Sequence, residues 1–256
     1  MILDDTESEA ITMQMKAWCR SDVGCVRAHN EDSCMAQLLP DGGLGIVCDG
    51  MGGANAGEIA SRIAMESFVD SILKTVGQRP EEQMRYALEV SNQEVYCYGW
   101  EHPECRGMGT TLVAAMVLGR DAYILNVGDS RTYSILNGQI RQITIDHSLV
   151  EELVRMGQIT PEQARNHPRK NIITRALGTE RVVEGDLFVH PVQPGERLLL
   201  CSDGLSNELT DPELLELAAV GEVEEACKRL IDAVLVKGAH DNVTAVLIEL
   251  QHNAER

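Results

Sequence analysis

The sequence predicts an α+β fold in which β-sheets form the core and helices pack outside them. Short apolar, β-branched runs recur along the chain, each bounded by Gly, Asp or Asn, which is the punctuation of buried strands. Two long amphipathic segments stand together between the first and second of these runs. Strand signals come in hairpin-like clusters and helix signals in pairs, which favours sheets with segregated helices over a regular βαβ alternation.

Residues Met1 to Ala10, MILDDTESEA, carry no basic region and no long apolar stretch, so residues 1–12 read as a flexible acidic tail and not as a secretory signal or transit peptide. One domain is expected over residues 13–252, because single layered domains commonly reach roughly 250 residues. Its first strand signal is Leu44 to Cys48. The helical segment Glu58 to Val76 sets Met65, Phe68, Val69, Ile72, Leu73 and Val76 on one face, and Glu81 to Tyr98 does so more loosely with Met84, Leu88, Ser91 and Val95. Leu112 to Leu118 and Tyr123 to Val127 are the next strands. Between Asp146 and Leu177 the pattern turns polar, with Thr160-Pro161-Glu162-Gln163 forming a capping box that has Pro at the first helical position. Arg165, Asn166, His167, Pro168, Arg169 and Lys170 make this a basic excursion in an acidic protein, and it reads as a mobile flap over residues 147–175, of the kind that often governs substrate access, with a solvated insertion without function as the alternative. Leu198 to Cys201 is a further strand. Pro212, after Thr210 and Asp211, opens a helix, and Val223, Ala226, Leu230, Val234 and Leu235 mark the apolar stripe of another. Val243 to Leu250 is the final strand.

The chain has 40 acidic and 22 basic residues, a formal charge of -18. That field repels phosphate backbones and anionic lipid, which argues against nucleic acid or a membrane surface as partner. An acidic protein that handles phosphate needs bound cations or a placed arginine to invert the field locally. Apolar runs such as Leu112 to Leu118 fall far short of the ~20 residues of a membrane helix. The eight cysteines, Cys19, Cys25, Cys34, Cys48, Cys97, Cys105, Cys201 and Cys227, are scattered without a C-x-x-C pair and read as reduced thiols of a cytoplasmic protein.

Three strands run directly into an aspartate beside a glycine: Leu44 to Cys48 into Asp49-Gly50, Tyr123 to Val127 into Gly128-Asp129, and Leu198 to Cys201 into Ser202-Asp203-Gly204. A fourth aspartate, Asp241, stands at the start of the last strand. Taken singly, an Asp-Gly pair is a turn signal. Four carboxylates at strand ends can converge on one rim of a sheet core, where they repel one another unless cations fill the gaps. Hard oxygen ligands select Mg²⁺ or Mn²⁺, and a dinuclear site accounts for the set. The glycine-rich stretch Asp49 to Gly53 lets backbone approach a ligand, so the Gly50 carbonyl is a further donor.

The segments SDVGCVRAHNED (Ser21 to Asp32), DGMGGANAGE (Asp49 to Glu58), GMGTT (Gly107 to Thr111), NVGDSR (Asn126 to Arg131), ITRALG (Ile173 to Gly178), SDGL (Ser202 to Leu205) and HDNVT (His240 to Thr244) stand in a specific order. In that order the chain resembles the PPM family of metal-dependent phosphatases, the type 2C serine/threonine protein phosphatases, in its compact bacterial form. The resemblance implies a four-layer α-β-β-α sandwich of two antiparallel sheets flanked by helices, with metals in a cleft at one end. It implies that Asp49 bridges two Mn²⁺ or Mg²⁺ ions, with the Gly50 carbonyl on one and Asp203 and Asp241 on the other. Asp32 would hold metal-bound water, Asp129 with Asp203 a third, weaker ion close to the flap, and Arg27 the substrate phosphate through its guanidinium fork. The implied reaction is hydrolysis of phosphoserine and phosphothreonine by a metal-bridging water attacking phosphorus in line, without a phosphoenzyme. Many eukaryotic relatives carry a histidine where this chain has Met51, and some bacterial ones at Ala54; His29 is then a candidate general acid, and none is assigned. The other histidines, His102, His147, His167, His190, His240 and His252, show no metal-binding spacing and are expected to be structural or exposed, which disfavours zinc.

Three functional readings stay open. An active phosphatase needs Arg27, Asp32, Asp49, Asp129, Asp203 and Asp241, all present. A silent binding module would lack one or more of them. A small-metabolite phosphatase would share the centre and differ only in the surface that reads the rest of the substrate. The expected partners are phosphorylated proteins and an opposing serine/threonine kinase, with the chain itself a monomer.

Overall fold

The computed structural model describes residues 14–52 and 56–251, so the predicted acidic tail over residues 1–12 lies outside the described residues, as do Ala54 and His252. The chain opens with β1 (Gln14–Asp22), β2 (Asp32–Leu39) and β3 (Gly42–Met51), followed by the paired helices α1 (Ala56–Lys74) and α2 (Pro80–Glu101). Five strands follow, β4 (Gly109–Thr110), β5 (Leu112–Leu118), β6 (Asp121–Val127), β7 (Arg131–Leu136) and β8 (Gln139–Gln142). After α3 (Leu149–Arg155) and α4 (Pro161–Arg165) come β9 (Asp186–Pro191) and β10 (Arg197–Cys201). The short helix α5 (Asp203–Ser206), then α6 (Asp211–Ala218), α7 (Val223–Val236) and β11 (Val243–Gln251) complete it.

One antiparallel sheet has the order β1-β11-β10-β7-β8, and the other β2-β3-β5-β6-β9 with β4 paired to β3. Because side chains alternate across a strand, each central strand feeds two cores. On β5, Leu112, Ala114 and Met116 pack under α1 and α2 while Val113, Ala115 and Val117 point between the sheets. On β11, Val243, Ala245 and Leu247 pack against α7 while Val246, Ile248 and Leu250 point between the sheets. The result is helices, sheet, sheet, helices, the predicted four-layer sandwich. All five apolar runs are strands, buried on both faces as their continuous hydrophobicity requires.

The strands that the apolar runs did not announce are mostly edges. Each of β1, β2 and β9 has one neighbour and mostly half-buried side chains, so each mixes polar and apolar residues and lacks a continuous apolar signal. The helical face of α1 also differs from expectation. Phe68, Val69 and Ile72 are buried, but Leu73 and Val76 are exposed, and the small residues Ala60, Ser61 and Ala64 extend the buried stripe towards the N-terminus. Its N-terminal half is therefore a stretch that apolar periodicity does not mark. Thr160 caps α4 through the predicted box with Gln163, and Thr210 caps α6 with Glu213 in the same way. Neither α3 nor α4 buries a side chain fully, as expected of an excursion from the core.

Sheet-to-sheet contact depends on one missing side chain. A Cβ on Gly45 of β3 would lie 2.9 Å from Val246 Cγ1 and 3.1 Å from Ile248 Cδ1 across the sandwich. Gly45→Val should therefore overpack the inter-sheet core and cost about 1–3 kcal/mol. Thermal denaturation reads this as a fall of several degrees, at about 2–4 °C per kcal/mol for a chain of this size; an unchanged midpoint would show that the sheets do not need this approach.

Candidate metal centre

At one end of the sandwich both sheets deliver carboxylates into a single cleft. Asp32 on β2 and Asp49 on β3 are partners in register, on the face that looks between the sheets. Asp129 follows β6, while Asp203 follows β10 and Asp241 precedes β11 on the opposing sheet. Asp49, Asp129, Asp203 and Asp241 line a cavity of about 240 Å³ together with Arg27, and Asn171 and Ile173 line it from the 147–175 segment. A larger cleft of about 470 Å³ between α2 and residues 181–186 lacks this convergence of carboxylates.

Each element of the rim is fixed by backbone and hydroxyl contacts. The Asp49 amide donates to Thr111 Oγ1 at 3.0 Å, and its carbonyl accepts from Thr110 Oγ1 and the Thr111 amide at 2.9 Å each. Gly50 cannot be replaced without movement: a Cβ there would meet Gly57 O at 2.1 Å and Glu31 O at 2.5 Å. The Asp32 carboxylate is buried, and its Oδ2 accepts from Ser202 Oγ at 2.8 Å and Thr244 Oγ1 at 2.6 Å. Asn242 holds the loop that carries Arg27, accepting from the Glu31 amide at 2.8 Å and donating to the carbonyls of Val23 at 2.9 Å and His29 at 3.0 Å. These supporting residues were within the recognised motifs, but their role needed tertiary contacts to appear. His29 itself is exposed and does not line the cleft, which separates the candidate acid from the carboxylates.

Electrostatics mark the cluster as strained. Burial pushes Asp32 up to about 7 against the pull of Thr244 and Ser202. Burial and the neighbouring Asp203 and Asp146 push Asp129 up to about 8. Asp49 is held well above the carboxylate range by burial, then by Asp32, Asp203, Asp129 and Asp241. Asp203 is raised by burial and by Asp241. Arg27 Nη2 donates to Asp241 Oδ2 at 2.8 Å, so the arginine predicted to face phosphate pairs with one of the predicted metal ligands here. Among the described residues, no three His, Cys, Asp or Glu side chains close around one point as a metal cage. A hard cation that keeps several waters does not need such a cage. The donor set is all oxygen, and Asp32 Oδ1 is buried without a hydrogen-bond partner among the described residues, so the cleft fits a hydrated Mg²⁺ or Mn²⁺.

The turn presenting Asp129 is bound to the root of the 147–175 segment. Asn126 Nδ2 donates to the carbonyls of Gly128 at 3.2 Å and Ile145 at 3.1 Å. The His147 amide donates to Gly128 O at 2.9 Å, and the Gly128 amide donates back to His147 Nδ1 at 3.1 Å. His147 is buried, and burial lowers its pKa, in keeping with a neutral ring that accepts at Nδ1. His147 is thus structural, as expected, and also tied to the site.

Comparison with known proteins identifies the class. The chain matches the family described as Protein phosphatase 2C over residues 26–247, and it belongs to that family. It is 42% identical over 241 residues to the serine/threonine phosphatase stp of Listeria monocytogenes, an alignment covering 92% of this chain and 96% of that one. The crystal structure of the Mycobacterium tuberculosis serine/threonine phosphatase PstP/Ppp superposes with a TM-score of 0.87 at 38% identity, covering 93% of this chain and 99% of that one. A structure of the catalytic domain of PstP in complex with two manganese ions gives a TM-score of 0.85 at 36% identity, covering 94% of this chain and all of that one.

The raised aspartates set a pH dependence. A carboxyl whose folded pKa lies above its unfolded value of about 3.9 binds more protons in the folded state, so stability falls as pH rises between the two values. In EDTA, the midpoint of thermal unfolding should therefore fall as pH is raised from about 4 towards the values of about 7 for Asp32 and about 8 for Asp129. Asp129→Asn should flatten that fall, and excess Mn²⁺ should reverse it; identical slopes in all three conditions would count against mutual repulsion in the cleft.

Proposed function

We propose that this chain hydrolyses phosphoserine and phosphothreonine in proteins, with Mn²⁺ or Mg²⁺ held by Asp49, the Gly50 carbonyl, Asp203 and Asp241. The observation that carries the reading is the set of buried, mutually repelling carboxylates at the end of the sandwich with a guanidinium beside them. Cations bound there supply a water-derived nucleophile at neutral pH and neutralise charge on the phosphoryl group. Asp32, clamped by Ser202 and Thr244, keeps one oxygen free to orient water in the cleft. Asp129, beside Asp203, holds a third and weaker ion. Arg27 exchanges Asp241 for substrate phosphate, whose oxygens suit its fork.

The catalytic domain spans residues 13–252, and residues 147–175 act as its flap, since Asn171 and Ile173 already line the cleft. The substrate is a phosphoprotein made by a serine/threonine kinase, and the enzyme acts as a monomer. Eight free cysteines support a reducing, cytoplasmic setting. Among the described residues, no helix is long and apolar enough to cross a membrane.

Phosphate release from a phosphothreonine peptide tests the reaction class. Release should require Mn²⁺ or Mg²⁺, vanish in EDTA, and fall by on the order of 100-fold or more in Asp203→Asn, beyond the 10–100-fold typical of outer positioning groups. Thr244→Val, which unclamps Asp32, should cost about 10–100-fold. Arg27→Lys should lower kcat/KM by about 10–100-fold, the range of one charged hydrogen bond. No release from a folded protein supplied with either metal would sink the assignment, and a phosphometabolite preferred by orders of magnitude would move it to another phosphoester.

A further inference from the structure

The flank of the sandwich next to Asp32 carries a chemistry that the phosphatase reading does not use. Strands β1 and β2 are the edge strands of opposite sheets on the same side of the molecule, and they run alongside one another. Their inner faces are registered by a chain of hydroxyls. Ser21 Oγ of β1 lies 2.7 Å from Thr244 Oγ1, and Thr244 Oγ1 donates to Asp32 Oδ2 of β2 at 2.6 Å. Ser21 also accepts from Asn30 Nδ2 at 2.8 Å, which closes the connection between the two strands. Stepping two residues inward along each strand keeps the same face. From Ser21 that step leads to Cys19, and from Asp32 to Cys34. Both cysteines pack against the inter-sheet core, where Cys19 pairs with Val246 on β11 and Cys34 with Val47 on β3.

We propose that Cys19 and Cys34 form a thiol pair that a hydroperoxide oxidises to a disulfide joining the edges of the two sheets. Both side chains stand on the facing edge strands against one core, and the influence of Cys34 draws Cys19 down to about 7, which supplies thiolate near neutral pH. Cys19 and burial in turn hold Cys34 up as the protonated partner. Both residues are partly exposed, so a small oxidant reaches them; Cys48, Cys105, Cys201 and Cys227 are buried. Cys227 packs on the outer side of β1, its thiol donating to Trp18 O at 3.7 Å, and so stands across the sheet from Cys19. Cys25 and Cys97 are exposed single thiols.

The chemistry balances in two steps. The Cys19 thiolate attacks one oxygen of hydrogen peroxide, an S–O bond forms, the O–O bond breaks, and the departing hydroxide takes a proton to leave as water. The Cys34 sulfur then attacks the Cys19 sulfenic sulfur, the S–S bond forms, the S–O bond breaks, and the hydroxyl leaves with the Cys34 proton as a second water. Two thiols supply the two electrons that reduce the peroxide. In a reducing compartment such a bond is transient, and thiol exchange reverses it.

Peptide mapping without reductant tests this on the intact, reduced protein. The protein is treated with hydrogen peroxide, quenched, and alkylated in denaturant. The expected result is a linked pair of peptides carrying Cys19 and Cys34, lighter by two hydrogens, with loss of two alkylatable thiols that dithiothreitol restores. Cys34→Ser should leave Cys19 as a sulfenic acid trapped by dimedone, with no linked peptide. If Cys34→Ser fails to fold, Cys25→Ser combined with Cys97→Ser, which leaves the pair intact, should still give the linkage. Recovery of Cys19 and Cys34 both alkylated after peroxide would overturn the proposal. So would a disulfide from Cys19 to Cys25, to Cys227 or to a second chain.

Discussion

Everything at the working end of this molecule depends on holding carboxylates closer together than their charges allow. Asp32, Asp49 and Asp203 come from three strand ends on two sheets, and each is pushed towards protonation by burial and by its neighbours. A site of this kind has a fixed demand for positive charge. An isolated buried carboxylate neutralises itself with a proton, but a cluster at neutral pH is better served by multivalent cations, which satisfy several oxygens at once. The overall charge of -18 sharpens the demand, because nothing in the surrounding field favours an anionic substrate without them.

The fold meets that constraint by fixing backbone first and side chains second. Asp49 sits in a strand whose flanking amide and carbonyl are both bound by Thr110 and Thr111, so its position is decided before any ligand is present. Gly50 follows it because Gly57 and Glu31 backbone leave no room for a Cβ. Asn242 ties the Arg27 loop to the start of β11, next to Asp241. The salt bridge between Arg27 and Asp241 is half exposed and contributes little by itself to stability. Its weakness suits the proposed exchange of Asp241 for substrate phosphate.

How much of this could be read in the sequence follows from where each signal resides. The five apolar runs were legible as strands because central strands bury both faces and must be apolar throughout. The edge strands β1, β2 and β9 were not, since each has one free edge and mostly half-buried side chains, which lets polar residues interrupt the apolar ones. The aspartates beside glycine were legible as candidates because a strand that ends in Asp-Gly advertises a carboxylate at a sheet rim. Their convergence was not legible from the residues alone, and neither were Ser202, Thr244 and Asn242 as the groups that hold Asp32 and the Arg27 loop. Such contacts join residues far apart in the chain, where no local periodicity records them. On α1 the hydrophobic pattern found Phe68, Val69 and Ile72 but ran on to the exposed Leu73 and Val76, and it passed over Ala60, Ser61 and Ala64, small buried residues that an apolar count undervalues.

The 147–175 segment and the carboxylate cleft share one scaffold in this arrangement. Asp129 sits in a turn whose neighbour Gly128 is bonded through both its amide and its carbonyl to His147, at the root of the 147–175 segment. Arg131, two residues beyond Asp129, grips both oxygens of Asp146 at 2.7–3.0 Å, and Asn126 bridges Gly128 to Ile145. At the segment's far end Thr174 donates to His147 O, and Leu177 pairs with Thr110, which also supports Asp49. The bonds that root the segment are therefore the ones that position the Asp129 turn. Any coupling between this surface excursion and the cleft has a short route, through His147 and Asn126, which the same backbone turn requires.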